Sequence, residues 1–257
     1  MNLETIEIIN QEKVSTIKLN RPDLLNAVNE QLVWDLQKAT EQVMNDEKIK
    51  VVILTGAGRG FSAGADLSER KASWEGSKDA LLRGYKPSFE NIITMPKPVI
   101  ASVSGPAAGI GAALAMSCDL RVMSEDSYLL SVFSNIALVP DGGLSWFLPK
   151  FMGYAKAYEY AVEAKKISAS DCLKYGIANK LVPADKIEET TLEWANKLSK
   201  RSSQSLNHTK RLMRESLAVG YWDTFNNEAE IQNELTVSPQ NREAVKAFLE
   251  KREPNFD

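Results

Sequence analysis

Histidine is nearly absent from this chain: His208 is the single one in 257 residues. It stands between Asn207 and Thr209 in a helical context, where it reads as a structural residue. Without a second histidine or a Cys/His cluster, neither a zinc centre nor a Ser-His-Asp triad has its parts. Cysteine is almost as scarce. Cys118 and Cys172 lie in apolar helical surroundings, which suits buried thiols and argues against a disulfide framework. Charge of one sign is not in excess either. With 31 basic and 34 acidic residues the net charge is -3, which gives no electrostatic case for nucleic acid or an anionic membrane as the main partner. No apolar run is long enough to span a bilayer, and the opening Met-Asn-Leu-Glu-Thr-Ile-Glu carries no basic segment ahead of an apolar one. The expected location is cytoplasmic.

What is present is the composition of an ordinary globular protein, 44% hydrophobic and 25% charged, in a length that can bury a sizeable core. Thr5–Ile9 and Val14–Leu19 alternate and read as a hairpin. Asn29 suits the N-cap of a helix whose inner face carries Leu32, Leu36, Ala39 and Val43. Val51–Thr55 is a continuous apolar run, typical of a strand covered on both faces. A polar, mobile-looking stretch from Ser68 to Ser77 precedes a helix to about Thr94. Short strands follow near Leu120–Met123 and Tyr128–Leu130, then a helix from Gly142 towards Phe151. Beyond Gly153 the pattern is almost wholly helical. Strands alternating with helices and then a run of helices predict an α/β core over 1–195 with a helical segment over 196–257.

The most informative stretch runs from Ser104 to Asp119. An apolar strand, Pro98–Val103, breaks at Gly105-Pro106, and small residues lead into an apolar helix ending near Cys118. A helix start leaves backbone N–H groups without partners, and these suit an oxygen that gains negative charge during a reaction. Ala107, Ala108, Gly109 and Gly111 would let a ligand approach the backbone closely. Tight packing of the helix inside a large core accounts for the same small residues.

Across essentially its whole length the chain resembles the enoyl-CoA hydratase/isomerase (crotonase) superfamily. The resemblance is carried by Leu19-Asn-Arg-Pro22 with Asn26-Ala27, Gly60-Phe-Ser-Ala-Gly-Ala-Asp-Leu67, Lys97-Pro-Val-Ile-Ala101, Gly105-Pro-Ala-Ala-Gly-Ile-Gly111, Leu138-Val-Pro-Asp-Gly-Gly143 and Lys251-Arg-Glu-Pro-Asn-Phe256. It implies a crotonase (ClpP-like) spiral of ββα units with a C-terminal helical trimerisation segment, assembled as a homotrimer or a dimer of trimers. It further implies an acyl-CoA thioester as substrate, with coenzyme A part of that substrate and no separate cofactor or metal. By position, the backbone N–H groups of Ala65 and Ile110 would hold the thioester oxygen. Ala63, Gly64, Asp66, Leu67, Gly109, Phe133, Leu25 and Ala27 would contact the substrate.

Hydratases of the superfamily use two glutamates, and here those positions hold Ala113 and Phe133. The acid this chain offers is Asp141, in Leu138-Val-Pro-Asp141, where some enoyl-CoA isomerases and the ring-opening isomerase of phenylacetate breakdown carry theirs. One carboxylate suits a double-bond shift, because the same base can take a proton at one carbon and return it at another. Asp141 also stands just before a helix, where an aspartate makes a good N-cap, and both roles stay open at this level. The expected activity is therefore an enoyl-CoA double-bond isomerase. A 2-enoyl-CoA hydratase or lyase with non-standard acid/base residues, and a non-catalytic acyl-CoA-binding protein, are the alternatives. Glu69 is a further candidate to reach the substrate, and Arg21, Lys210, Lys251 and Arg252 are candidates for the CoA phosphates.

Overall fold

A computed structural model describes residues 3–69 and 73–256. Its main sheet has six strands in the order β1-β2-β3-β4-β6-β9: β1 (Ile6–Gln11), β2 (Val14–Leu19), β3 (Val51–Gly56), β4 (Val99–Val103), β6 (Leu120–Ser124) and β9 (Lys180–Val182). A second sheet of three short strands runs β5 (Pro106–Ala108), β7 (Tyr128–Leu130), β8 (Lys166–Ser168). The first hairpin is antiparallel, and the remaining strands of the main sheet pair in parallel.

The chain passes from the main sheet to the small one twice. Gly105 turns β4 into β5 before α4 (Ile110–Ser117), and the turn after Ser124 leads β6 into β7. This is the repeated ββα unit of the expected spiral. Pro106–Ala108 is thus a strand rather than part of a loop, and β8 carries no signal in the sequence pattern. Both are only three residues long, too short to show alternation.

Residues of β3 alternate between two apolar layers. Val52 and Leu54 face the larger core with α1 (Glu30–Asn45), while Val51 and Ile53 face Ile187 and Ala195 of α8 (Ile187–Ser199). Both faces of the strand are covered, which explains its unbroken apolar run. The Asn29 side chain caps α1, accepting from the Leu32 amide at 3.0 Å.

Between the sheets and the C terminus lie α2 (Ser77–Asp79), a π-helical turn (Ala80–Tyr85), α3 (Lys86–Thr94), α5 (Leu144–Met152), α6 (Tyr154–Val162) and α7 (Ala169–Lys174). The stretch expected to be mobile, 68–77, includes residues 70–72, which lie outside the described residues. Its described part is anchored to α1. Ser73 donates twice to the Glu30 carboxylate, the Trp74 and Trp34 rings lie 5.2 Å apart, and the Arg83 guanidinium sits 5.0 Å from the Trp74 ring.

The final helices are α9 (Ser203–Glu215), α10 (Tyr221–Thr236) and α11 (Pro239–Glu250). The line at 195/196 falls within α8, and α9 is the first helix wholly beyond it. Asp119 ties α9 to the core. Its Oδ2 accepts from the Val99 amide at 2.9 Å and faces Lys210 Nζ at 2.8 Å, while Oδ1 meets Arg214 Nη2 at 2.7 Å. Lys210 Nζ also donates to the carbonyls of Ile92 and Lys97. Lys210 is therefore a structural cation rather than a phosphate ligand, and burial holds its pKa below the usual lysine value. Among the described residues no helix is long and apolar enough to cross a membrane.

Asp119→Ala leaves two cations facing a lost charge. It should lower the free energy of unfolding by about 3 kcal/mol, read from urea denaturation. An unchanged midpoint would show that α9 docks through its apolar face alone.

Candidate functional site

Two loops meet where the sheets diverge, and they pair as short parallel ladders. Ser62 and Ala107 form one bridge: the Ser62 amide donates to Pro106 O at 3.1 Å, and the Ala108 amide to Ser62 O at 2.9 Å. Val28 and Ala65 form another, with the Val28 amide donating to Gly64 O at 2.7 Å and the Asp66 amide to Val28 O at 3.0 Å. In such a bridge the bonds involve the neighbours of Ala65, so the amide of Ala65 itself points away from Val28. It meets no acceptor among the described residues.

Ile110 opens α4, and the first bond inside that helix runs from the Ala113 amide to Gly109 O at 3.1 Å. The Ile110 amide is one of the free donors of the helix start. Gly64 and Gly109, which precede these two amides, are in contact: a Cβ on Gly109 would lie 3.9 Å from Gly64 Cα. Both have positive φ, +96° and +52°, a region that glycine enters without strain. Phe133 closes the far side of Gly109, its ring edge 3.8 Å from the same Cβ position.

The frame around this point is held by Asn26 and Arg21. The buried Asn26 side chain donates to the carbonyls of Ala57 and Gly60 and accepts from the Arg21 amide. Arg21 donates to Ala27 O and pairs with Asp66 at 3.0 Å. Asp66 also accepts from the Ser68 hydroxyl at 2.6 Å; that bond, followed by the pairing with Arg21, holds its carboxyl below the usual range. Leu25 O accepts from the Ala63 amide at 2.8 Å. Ala63, Gly64, Ala65, Asp66, Leu25, Ala27, Gly109, Ile110 and Phe133 are thus brought together. Leu67 is 76% exposed and stands outside this frame. Arg21 and Arg252 are both engaged within the chain, Arg252 with Glu243 and Glu250. Glu69 accepts from the Glu30 amide at the start of α1.

Asp141 reaches the site through Gly142. A methyl group on Gly142 would fall 2.6 Å from Ala113 Cβ and 2.7 Å from Ile110 Cδ1, so this backbone is pressed against the first turn of α4. Asp141 does not cap α5. The cap position belongs to Gly143 in the left-handed region, and no side chain accepts there. Instead Oδ1 of Asp141 is buried without a hydrogen-bond partner. Burial pushes its carboxyl up to about 6.

The carboxylate opens on a cleft of about 600 Å³ walled by Leu81, Leu82, Phe89, Ile93, Trp146 and Phe147. Tyr85 lines it too and was not singled out by the sequence pattern. Its i, i+4 spacing to Phe89, along α3, was the available signal. Two free amides side by side and a base of raised pKa in an apolar cleft can polarise a carbonyl and move a proton next to it. Among the described residues no group of acids, histidines and cysteines is arranged to hold a metal ion.

The enoyl-CoA hydratase/isomerase family profile matches residues 9–257. The chain is 34% identical to a 1,2-epoxyphenylacetyl-CoA isomerase of Escherichia coli, over 96% of this chain and 95% of that one. It is 31% identical to a short-chain-enoyl-CoA hydratase of Clostridium acetobutylicum, over 98% and 97%. A crystal structure of an enoyl-CoA hydratase from Bacillus anthracis superposes with a TM-score of 0.93 at 29% identity, covering 99% of this chain and all of that one.

Because the Asp141 carboxyl is raised from 3.8 to about 6 on folding, its charged form destabilises the native state once the pH passes through that window. Asp141→Asn should raise the melting temperature near pH ~8 and leave it unchanged near pH ~4. Calorimetry at the two pH values checks this; equal melting at both would show that Asp141 is not buried as described.

Proposed function

The chain belongs to the enoyl-CoA hydratase/isomerase family, and from that premise we propose that it is an enoyl-CoA double-bond isomerase working through a thioester enolate. The observation that carries this is the half-buried carboxylate of Asp141, its Oδ1 buried without a hydrogen-bond partner, beside the Gly142 backbone that packs against the first turn of α4. The two positions that hold glutamates in hydratases, 113 and 133, are here apolar and buried. They supply no group to place a water.

In this reading the amides of Ala65 and Ile110 hold the thioester oxygen. Asp141 takes a proton from C2 of a 3-enoyl thioester, and the charge spreads onto that oxygen. The protonated carboxyl then returns the proton at C4, leaving the conjugated 2-enoyl ester. Atoms balance without water, and coenzyme A enters and leaves as part of the substrate, with no separate cofactor. Phe133, Leu25, Ala27, Ala63, Gly64, Asp66 and Gly109 frame the bound ester. Assembly as a homotrimer or a dimer of trimers would cover the aromatic and aliphatic side chains that α10 and α11 leave exposed, Trp222, Phe248 and Leu249 among them.

Incubation with 3-enoyl-CoA should yield 2-enoyl-CoA with no change in mass, and Asp141→Asn should lower kcat by about 10²–10⁴-fold. Activity should fall as the pH drops through about 6, where Asp141 takes up a proton. A gain of one water on 2-enoyl-CoA would instead make the protein a hydratase. Tight ester binding without turnover would make it a binding protein.

Gly64→Ala would set a methyl 2.8 Å from Ala108 O at a φ of +96°. Displacing the Ala65 amide in this way should cost about 10²-fold in kcat with KM little changed. Steady-state kinetics on the folded variant checks it, and unchanged kcat would remove Ala65 from the oxyanion site.

A further inference from the structure

No cation among the described residues pairs with the Asp141 carboxylate. Its Oδ1 lacks a hydrogen-bond partner, and the other titratable groups lining its cleft are Tyr85, Lys86 and Arg214. Arg214 is committed to Asp119 and to Ser117 O, both at 2.7 Å, and Lys86 is exposed. The carboxylate is placed by its backbone instead. The Asp141 carbonyl accepts from the Leu144 amide at 3.0 Å. The next residue, Gly142, sits at a φ of +58° in a notch formed by Ile110, Ala113 and Phe89. A methyl group there would fall 2.7 Å from Ile110 Cδ1 and 2.6 Å from Ala113 Cβ. Ala113 is fully buried and has no side-chain torsion to adjust. Ile110 is 4% exposed, and the length of its side chain decides how deep the notch is.

We propose that the Ile110 side chain is a positioning residue for Asp141, its δ-methyl setting how far the base stands from the thioester oxygen. This rests on reading Asp141 as the base and the Ile110 amide as a donor to that oxygen. One residue then registers both ends of the reaction: its N–H meets the oxygen, and its side-chain tip bears on the backbone that carries the base. A close-packed interior passes a change of one methyl group to its neighbours. A misplacement of about 1 Å can cost about 10²-fold in rate. Loosening the contact also lets the carboxylate reach water, which lowers the cost of its charge.

The test compares Ile110→Val, which removes only the δ-methyl and keeps the backbone amide, with Ile110→Leu, which returns carbon to the δ position. On 3-enoyl-CoA, Ile110→Val should lose about tenfold in kcat, with KM within about twofold of wild type. The acid limb of its pH profile should move below about 6. Ile110→Leu should recover most of the lost kcat. An unchanged kcat in Ile110→Val, a loss that Ile110→Leu does not recover, or a lower melting temperature with the acid limb in place would overturn the proposal. If wild type isomerises no 3-enoyl-CoA, the isomerase reading fails, and carbon-13 NMR titration of the Asp141 carboxyl still decides the role of Ile110. A lower midpoint in Ile110→Val than in wild type upholds it, and an equal midpoint overturns it.

Discussion

The site depends on backbone pairing of the loop 60–66, which bridges to the loop 105–110 at Ser62–Ala107 and to Val28 at Ala65. The bonds to Val28 use the peptide groups on either side of Ala65 and leave its amide free, while the Ile110 amide is free because it opens α4. The free amides are a by-product of a pairing pattern and of a helix start, so they need no particular side chain. That is why isoleucine can stand at 110 without cost to the donor. What the arrangement does need is glycine at 64, where a Cβ would fall 2.8 Å from Ala108 O, and the positive φ that glycine adopts without strain at 109.

Around this rigid point the electrostatics are divided. Asp66 and Asp119 are satisfied acids: one is hydrogen-bonded by Ser68 and Arg21, the other by the Val99 amide, Lys210 and Arg214. Asp141 is an unsatisfied acid in an apolar setting. Keeping one carboxylate unpaired while the others are paired costs stability, and it is the state that the proposed proton transfer requires. The α5 cap falls to Gly143 in the left-handed region, so the helix releases Asp141 from a structural role.

Much of this was legible in the sequence because it is written in periodicity. The buried strands, the amphipathic α1 with its Asn29 cap and the helical tail are each the direct expression of an apolar pattern. The family motifs added the loops and Asp141, which no periodicity marks. The three-residue strands were not legible, since alternation needs more residues than β5 and β8 possess. Nor were the ion pairs Arg21–Asp66 and Lys210–Asp119, whose partners lie far apart in the chain and are joined only by the fold.

Asp119 joins β4, the end of α4 and α9, and Arg214 reaches from that junction into the wall of the cleft. The helical tail and the cleft are therefore structurally coupled. Recombination between relatives that exchanged the tail alone would separate residues 117 and 119 from 210 and 214, and would alter the wall of the cleft through Arg214. A chimera that respects the fold carries both halves of this junction from the same parent.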